Sequence, residues 1–297
     1  IVPGEGVTWT FGAGSPKGNF GSLRTRGWEL SIDYNHRFEN GLGINAMVSL
    51  SDAQTEITAY GDTKSIDSWY IGKKYGEIWG YRTDRLYQKD DFVYADGKLV
   101  TVWALNGKEV PANTPGAKEM NKLKDPNGVY QDYFQTGTIK FGPGDVKYKD
   151  ISGPDGVPDG KISPEYDRVL LGGSLPRFQY GGSLNLGYKG FDFSLAFQGV
   201  GRQNARLSDR MVQPLFANWG NTPAIIDGNY WSEKNTEAQN SQAFYPRLTY
   251  ANATNNYAMS DYWMFKGRYF RLKNLTFGYT LPTAWTEKVT IKKARVY

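Results

Sequence analysis

The strongest constraint on the fold is a strict alternation of apolar and polar side chains between Arg177 and Gly199. Every second residue is apolar in most of the stretch before Lys189-Gly190, and the same pattern resumes after this dipeptide. A period of two is typical of β-strands, and a two-residue connection predicts a tight hairpin. Each strand is long enough to cross a bilayer, which takes about 9 to 11 tilted residues.

The alternation assigns each side chain of the hairpin to one of two faces. We expect one face to contact lipid and the other to face a lumen or a plug. The lipid-facing set is Phe178, Tyr180, Leu184, Phe191, Phe193 and Leu195. The inward-facing set is Gln179, Ser183, Asn185, Asp192 and Ser194.

Composition agrees with a membrane protein built from strands rather than helices. Hydrophobic residues make up 39% of the 297 residues and the mean hydropathy is −0.57, which excludes a helical membrane protein. Hydropathy analysis does not detect a transmembrane barrel, because only alternate residues of each strand face lipid. The 21 Tyr and 9 Trp residues suit aromatic girdles at the two membrane interfaces.

Further stretches repeat the pattern. Residues Trp28 to Tyr34 alternate, an Asn40-Gly41 turn follows, and the alternation returns from Leu42 to Leu50. Residues 268–281 also alternate, with a change of phase before Asn274 that predicts a bulge. The predicted fold class is therefore all-β, a transmembrane antiparallel β-barrel with long extracellular loops.

The alternation fades over two long stretches, residues 51–167 and 202–257. Loops of this length are usually functional, and in outer-membrane barrels they are extracellular. The second stretch combines aromatic rings with many amides, which suits the apolar faces and hydroxyl rims of sugars. The predicted substrate-binding residues are Trp219, Tyr230, Trp231 and Tyr245. Packing of these rings against neighbouring side chains is the alternative.

A loop rich in Asp and Gly, residues 144–168, partly matches a calcium-binding loop. Calcium is the only predicted cofactor, with the side chains of Asp155, Asp159 and Asp167 and the carbonyl oxygen of Lys161 as ligands. The alternative is a turn-rich loop that uses Asp and Gly for backbone reasons.

Several functional classes are excluded. The chain has no Cys and a single His, so thiolate zinc sites and cysteine nucleophiles are absent. No G-x-S-x-G, P-loop or dinucleotide motif occurs, and no catalytic residue is predicted. The net charge of +5 is spread without a basic block, which argues against nucleic-acid binding. The chain is therefore not expected to be an enzyme.

Specific motifs resemble one known family. In order along the chain they are Leu23 to Leu30, Asp167-Arg168 with Leu171-Gly172, Pro176-Arg177, Phe191 to Ser194, and Tyr269 to Tyr279. In this order they resemble the late-barrel segments of the SusC/RagA family of TonB-dependent outer-membrane transporters of Bacteroidetes.

The resemblance implies that residues 1–297 are the C-terminal part of a 22-stranded plugged barrel whose plug and N-terminal strands lie outside this chain. The implied partners are a SusD-like surface lipoprotein, the TonB complex and outer-membrane lipid. The implied function is active import of a bulky nutrient across the bacterial outer membrane. The expected cargo is an oligosaccharide, with a peptide as the alternative.

A rival from another class is a secreted all-β protein that binds or hydrolyses carbohydrate. Its aromatic-rich strands would pack as a sandwich with a closed core. The two hypotheses differ in what covers the apolar face, which is lipid in a barrel and a second sheet in a sandwich.

Overall fold

The computed structural model describes residues 2–3, 10, 12, 17–18, 21–61, 65–136, 139–207, 212–215, 222–249 and 253–297. Contacts divide the chain into two units. The wall unit comprises residues 1–77, 172–205 and 266–297, and the loop unit comprises residues 78–171 and 206–265.

Nineteen strands are described, and most of them are short. In chain order they are β1 Val2–Pro3, β2 Lys17–Gly18, β3 Ser22–Arg37, β4 Gly43–Ala59, β5 Glu77–Tyr81, β6 Thr83–Leu86, β7 Tyr94–Ala95, β8 Lys98–Leu99, β9 Thr101–Leu105, β10 Lys108–Val110, β11 Lys118–Asn121, β12 Val146–Tyr148, β13 Arg168–Gly173, β14 Arg177–Tyr188, β15 Phe191–Arg202, β16 Asn204–Arg206, β17 Met264–Lys266, β18 Tyr269–Thr280 and β19 Arg295–Val296.

Helices are few and short. The α-helices are α1 Glu237–Gln242, α2 Ala253–Asn256 and α3 Thr283–Thr286. Short 3₁₀ helices cover Lys89–Asp91, Ala224–Ile226, Asp261–Trp263 and Glu287–Val289. Among the described residues, no helix has the length and apolar character needed to span a membrane.

The wall unit is built on one antiparallel sheet with the strand order β19-β18-β15-β14-β4-β3. The predicted hairpin is confirmed as β14 and β15, joined at Lys189-Gly190. Both turn residues have positive φ, 47° at Lys189 and 87° at Gly190, as a tight hairpin turn requires. The hairpin pairs with β4 on one side and with β18 on the other.

Two details of the sheet bear on the sequence predictions. The predicted bulge in β18 is confirmed, because Ala196 pairs with Asn274 and Phe197 pairs with Leu272, which leaves Lys273 as the extra residue. The predicted start of the first long loop at residue 51 is wrong, because β4 continues to Ala59 and stays in register with β3 as far as Ile57. The reason is that charged and polar side chains replace apolar ones on the outer face beyond Leu50, so the apolar alternation stops while the strand continues.

The loop unit has small sheets and an irregular backbone around two apolar cores. Its sheets are β10-β9-β11, β12-β6 and β7-β8. The larger core packs aromatic rings that include Tyr81, Phe134 and Tyr148. The smaller core surrounds Trp263, which is 1% exposed. The described parts of the predicted excursions are therefore folded, although they lack the periodicity of the wall.

Candidate functional site: a two-faced wall and the cavities of each unit

One face of the wall is apolar across five neighbouring strands. The strand register aligns its side chains in rows, and one such row runs from Tyr34 through Ala46, Leu184 and Leu195 to Leu275. Many of these side chains remain open to solvent: Ile32 is 60% exposed and Phe277 is 64% exposed. A contiguous apolar surface of this size indicates contact with another apolar phase.

Aromatic rings cover the glycines on this face. A β-carbon added at Gly199 would lie 2.4 Å from the ring of Tyr180, and one added at Gly182 would lie 2.9 Å from the ring of Phe197. Each ring lies across the glycine of the neighbouring strand, which restores packing where the side chain is missing. Glycine is therefore required at both positions by close approach.

The opposite face of the same strands is mostly polar or small, with Met47 as an apolar exception. One row there runs through Asn35, Asn45, Asn185, Ser194 and Thr276. Near the tight-turn end, Asp192 on this face forms a two-point ion pair with Arg295, with N–O distances of 3.0 and 2.5 Å. An apolar outer face backed by a polar inner face is the arrangement of a transmembrane barrel wall.

The two predicted sets of residues fall on these two faces with one irregularity. Tyr180, Leu184, Phe191, Phe193 and Leu195 share the apolar face, and Gln179, Ser183, Asn185, Asp192 and Ser194 share the polar face. Phe178 has a left-handed backbone, with φ of 55°, and lies outside the regular ladder. It is therefore a local irregularity at the end of β14.

The wall unit also holds a small aromatic cavity of about 180 Å³. Leu23 and Ile57 line it from β3 and β4, together with Trp69 and Tyr75. The rings of Trp69 and Tyr75 are stacked at 5.5 Å, and they are 41% and 47% exposed. Exposed parallel rings are suited to the apolar faces of sugars. Sequence analysis missed this pair because the two residues lie in a stretch without periodicity.

The predicted substrate-binding aromatics are placed differently from one another. Trp219 lies outside the described residues. Trp231 is 3% exposed and donates its indole N–H to Gln88, and Tyr245 is 5% exposed beside Trp263. These two rings are core residues of the loop unit, which corrects the expectation that they contact substrate.

Tyr230 is the predicted residue that keeps partial exposure. It forms an isolated β-bridge with Tyr245, so its backbone is fixed next to the smaller core. Of the predicted substrate-binding aromatics within the described residues, Tyr230 alone stays a prediction that the burial pattern leaves open.

The Asp/Gly loop is organised by two carboxylates that accept backbone N–H groups. Asp167 is fully buried and accepts from Ile151 and Ser152 with one oxygen and from Ser163 with the other. Asp150, which sequence analysis did not single out, accepts from Gly160, and its second oxygen is buried without a partner. Burial, with smaller contributions from Asp167 and Asp159, raises the pKa of Asp150.

This arrangement gives no support to the predicted calcium ligands. Asp155 is exposed on a turn, and the Asp159 carboxylate lies 3.5 Å from the Lys161 ammonium. Within the described ranges, no three His, Cys, Asp or Glu side chains form a group that could hold a metal ion. The turn-rich alternative describes the observed hydrogen bonds, and calcium binding stays a prediction.

A larger cavity of the loop unit, of about 570 Å³, is lined partly by lysines. Lys108, Lys122 and Lys124 contribute to it, together with Tyr130 and Gly160 of the Asp/Gly loop. Lys122 lies 3.5 Å from Glu109, whereas Lys108 and Lys124 have no carboxylate within 4 Å among the described residues.

A neighbouring cavity of about 530 Å³ shares Val93 and Lys124 with the first one and adds Lys89 and Tyr94. Together the two cavities carry four ammonium groups and three carboxylates, those of Asp90, Glu109 and Asp125, beside two tyrosines. Lys108 and Lys124 are in no ion pair among the described residues, so these two ammonium groups are suited to an anionic group of a ligand.

A buried ion pair fixes the backbone of the loop unit. Asp145 has no exposed surface and accepts from Arg247 at 2.8 and 2.6 Å and from Asn256 at 2.9 Å. It also accepts from the backbone N–H of Gly142 at 2.9 Å. The carboxylate therefore joins segments that lie about a hundred residues apart in the chain, and no sequence motif marks the pairing.

The two-faced wall defines the class: it is a segment of a transmembrane antiparallel β-barrel. No family model matches the chain. Three curated relatives, all from Formosa agariphila, are TonB-dependent receptors. Receptor P3 is 32% identical over 57% of this chain and 16% of the relative, P26 is 26% identical over 94% and 24%, and P39 is 24% identical over 89% and 24%.

Solved structures agree with the sequence relatives. The RagAB peptide transporter matches with a TM-score of 0.55 at 15% identity, covering 98% of this chain and 26% of that chain. The RagAB peptide importer in its closed-closed state matches with a TM-score of 0.53 at 17% identity, over 97% of this chain and 26% of that one. These likenesses show the fold.

The predicted resemblance to SusC/RagA-type TonB-dependent transporters is confirmed, and the protein belongs in the bacterial outer membrane. The relatives are receptors and transporters rather than enzymes. The chain spans about a quarter or less of the length of the relatives that it matches.

Proposed function

We propose that this chain is the C-terminal part of the barrel of a TonB-dependent importer that carries a bulky nutrient across the outer membrane. The observation that carries this proposal is the wall itself, in which an exposed apolar face is backed by a continuous polar face over five strands. Large apolar side chains of this face, such as Ile32 and Phe277, are exposed, whereas a second sheet would cover them in the secreted sandwich.

The proposal includes the parts that a barrel segment does not contain. The plug and the N-terminal strands lie in the rest of the protein. A SusD-like lipoprotein captures cargo at the outer mouth, and the TonB complex supplies the energy. The support for these partners is the relationship to TonB-dependent receptors and the likeness to RagAB.

We infer that the cargo is an oligosaccharide. Two surfaces support this inference: the exposed stacked rings of Trp69 and Tyr75, and the lysine-lined cavities beside Tyr94 and Tyr130. The first surface suits neutral sugar faces, and the second suits carboxylate or sulfate substituents. Tyr230 is a further candidate for cargo contact because it is partly exposed.

Peptide cargo is the second candidate, favoured by the names of the solved relatives, which are a peptide transporter and a peptide importer. An import assay separates the two. Cells that express the full-length transporter with its lipoprotein are given labelled neutral oligosaccharides, acidic oligosaccharides or peptides, with and without a functional TonB.

We expect TonB-dependent uptake of oligosaccharide. Uptake of peptide without uptake of oligosaccharide would show that the cargo is a peptide. Uptake that is indifferent to TonB would contradict the importer proposal.

The lysine-lined cavities are tested by the double variant Lys108→Gln/Lys124→Gln. We expect a loss of affinity for an acidic oligosaccharide of about three- to tenfold at low salt, with a smaller loss at high salt because exposed charges are screened. Neutral oligosaccharide should bind equally to both proteins. Lys234→Gln is the matched control, because Lys234 is an exposed lysine of the same unit that does not line either cavity.

A further inference from the structure

On β3 and β4 the outer face changes from apolar to charged and polar side chains within two residues. On β3 the apolar side chains end at Trp28, and the next residues on the same face are Arg26 and Arg24. They pair across the strands with Gln54 and Glu56 of β4. The pairing keeps its register from Leu23 to Arg37, so the two arginines lie on the lipid-facing side and not on the lumen side.

This change lies at the outer end of the strands. The opposite ends of the strands are closed by the tight turns at Phe38–Leu42 and at Lys189-Gly190. Outer-membrane barrels have short turns on the periplasmic side and long loops outside. The two arginines therefore lie at the level of the outer leaflet.

The distance of the two arginines from the apolar band places them in the lipid headgroup layer. A strand rises about 3.4 Å per residue, so Arg26 and Arg24 lie about 7 and 14 Å beyond Trp28 along β3. With a strand tilt of about 40°, these distances become about 5 and 10 Å above the apolar band. A tryptophan at the boundary is itself typical of the membrane interface.

The carboxylates on this part of the face are already paired. Asp52 accepts from Arg177 at 2.5 and 2.6 Å, and Glu56 pairs with Lys74. Arg24 lies directly opposite Glu56 in the β3–β4 ladder, and Arg26 lies two residues further along the same face, opposite Gln54.

Neither Arg24 nor Arg26 has a carboxylate within 4 Å among the described residues. Among the described residues, four cationic side chains therefore face two carboxylates on this part of the face, and the guanidinium groups of Arg24 and Arg26 are the two without an ion pair.

We propose that Arg24 and Arg26 form a binding site for the phosphate groups of the phosphorylated glycolipid in the outer leaflet. Guanidinium groups match phosphate oxygens with two parallel hydrogen bonds, and they do so better than ammonium groups. The apolar rows below the arginines would contact the acyl chains of the same lipid, so one molecule would use both parts of the outer face. The proposal is independent of the cargo.

The test uses the full-length protein, purified in detergent and delipidated. Bisphosphorylated lipid A and lipid A without phosphates are each titrated into the wild type and into Arg24→Gln/Arg26→Gln, and bound lipid is counted by native mass spectrometry. We expect the double variant to bind the phosphorylated lipid on the order of tenfold more weakly, since it loses two charge-assisted contacts. Binding of the lipid without phosphates should be weak and equal for both proteins.

Two further variants sharpen the test. Arg37→Gln removes an arginine near the tight-turn end of the same strand and should bind lipid like the wild type. Arg24→Lys/Arg26→Lys keeps the charge without the planar fork and should recover part of the affinity. Retained barrel folding is checked by heat-dependent gel mobility, and Arg26→Gln alone replaces the double variant if that one does not fold.

Equal binding of phosphorylated lipid by the wild type and the double variant would overturn the proposal. The proposal would also be wrong if inorganic phosphate bound to the wild type as tightly as phosphorylated lipid does. The site would then bind a soluble anion rather than a lipid headgroup.

Discussion

The wall unit and the loop unit are held together by different interactions. In the wall, long strands repeat one backbone ladder, and the apolar side chains of the outer face are left exposed for lipid. In the loop unit, strands are short, aromatic side chains are buried, and single carboxylates such as Asp145 and Asp167 bind several backbone or side-chain donors. The wall therefore depends on its surroundings for stability, whereas the loop unit depends on its own buried contacts.

The largest expected effect is on the loop unit. Asp145→Ala leaves the Arg247 guanidinium without its carboxylate partner and removes acceptors from Asn256 and Gly142. Breaking a buried pair of this kind costs about 3–5 kcal/mol. In full-length protein, hydrogen exchange should accelerate in segments 140–148, 244–249 and 253–256, while the wall strands stay protected.

Asp84→Asn is the matched control, because Asp84 pairs at 3.3 Å with Lys147 and both side chains are partly exposed. Such pairs contribute about 0–1 kcal/mol. If the control and Asp145→Ala accelerated exchange equally, the central role given to Asp145 would be wrong.

The next effect concerns the wall. Leu195→Arg places a charge on the outer face in the middle of the apolar rows, where it should cost about 2–4 kcal/mol in the bilayer. Ser194→Arg puts the same side chain one residue away on the inner face and should be tolerated much better. Folding of both variants into lipid vesicles, followed by urea titration, measures the difference, and similar losses for the two would contradict the assignment of the faces.

A smaller effect is expected for cargo binding. Trp69→Ala removes one of the two stacked, exposed rings, and a stacking contact contributes about 0.5–1.5 kcal/mol beyond buried area. Affinity for a neutral oligosaccharide should fall several-fold, with Trp69→Phe recovering part of it. Trp285→Ala is the control, because Trp285 is another exposed tryptophan of the wall unit that is not part of the stacked pair. Unchanged affinity in Trp69→Ala would remove this pair from the cargo site.

The smallest effect is on the pH dependence of the loop unit. Because burial raises the pKa of Asp150 in the folded state, the folded protein binds this proton more tightly than the unfolded chain does. The contribution of Asp150 to stability is therefore unfavourable at neutral pH and is relieved as the pH falls through its folded pKa. Relative to the wild type, Asp150→Asn should gain stability at pH 7 and lose that advantage in mildly acidic solution.

Local exchange rates near Gly160, whose N–H Asp150 accepts, measure this difference. The same samples can be titrated with calcium. Tighter protection of the Asp/Gly loop in calcium would support the calcium prediction, and no response would remove it.

The wall was predicted well because the residues that determine its strands and turns are neighbours in the chain. The alternation of β14 and β15, the tight turn between them and the bulge at Lys273 all follow from neighbours in the chain. The outer half of β4 was missed because its outer face is charged, so the periodicity of apolar residues ended before the strand did.

The loop unit was predicted poorly because the residues that stabilise it are far apart in the chain. Asp145 and Arg247 lie about a hundred residues apart, and neither has a motif around it. Trp231 and Tyr245 belong to an aromatic-rich stretch, and composition alone does not separate a buried ring from an exposed one. The same limit applies to the lysine-lined cavities, because their lining residues come from several turns and short strands.

The bulge in β18 has a consequence for how such a wall can evolve. A residue gained or lost within a strand would exchange the lipid-facing and lumen-facing sides of everything beyond it. At Lys273 the extra residue is absorbed, so Leu275 on one side and Leu272 on the other still face outward. Side chains can therefore be substituted throughout the wall. Insertions and deletions are confined to bulges of this kind and to the connections between strands. In these connections, new cargo preferences can arise without disturbing insertion of the barrel into the membrane.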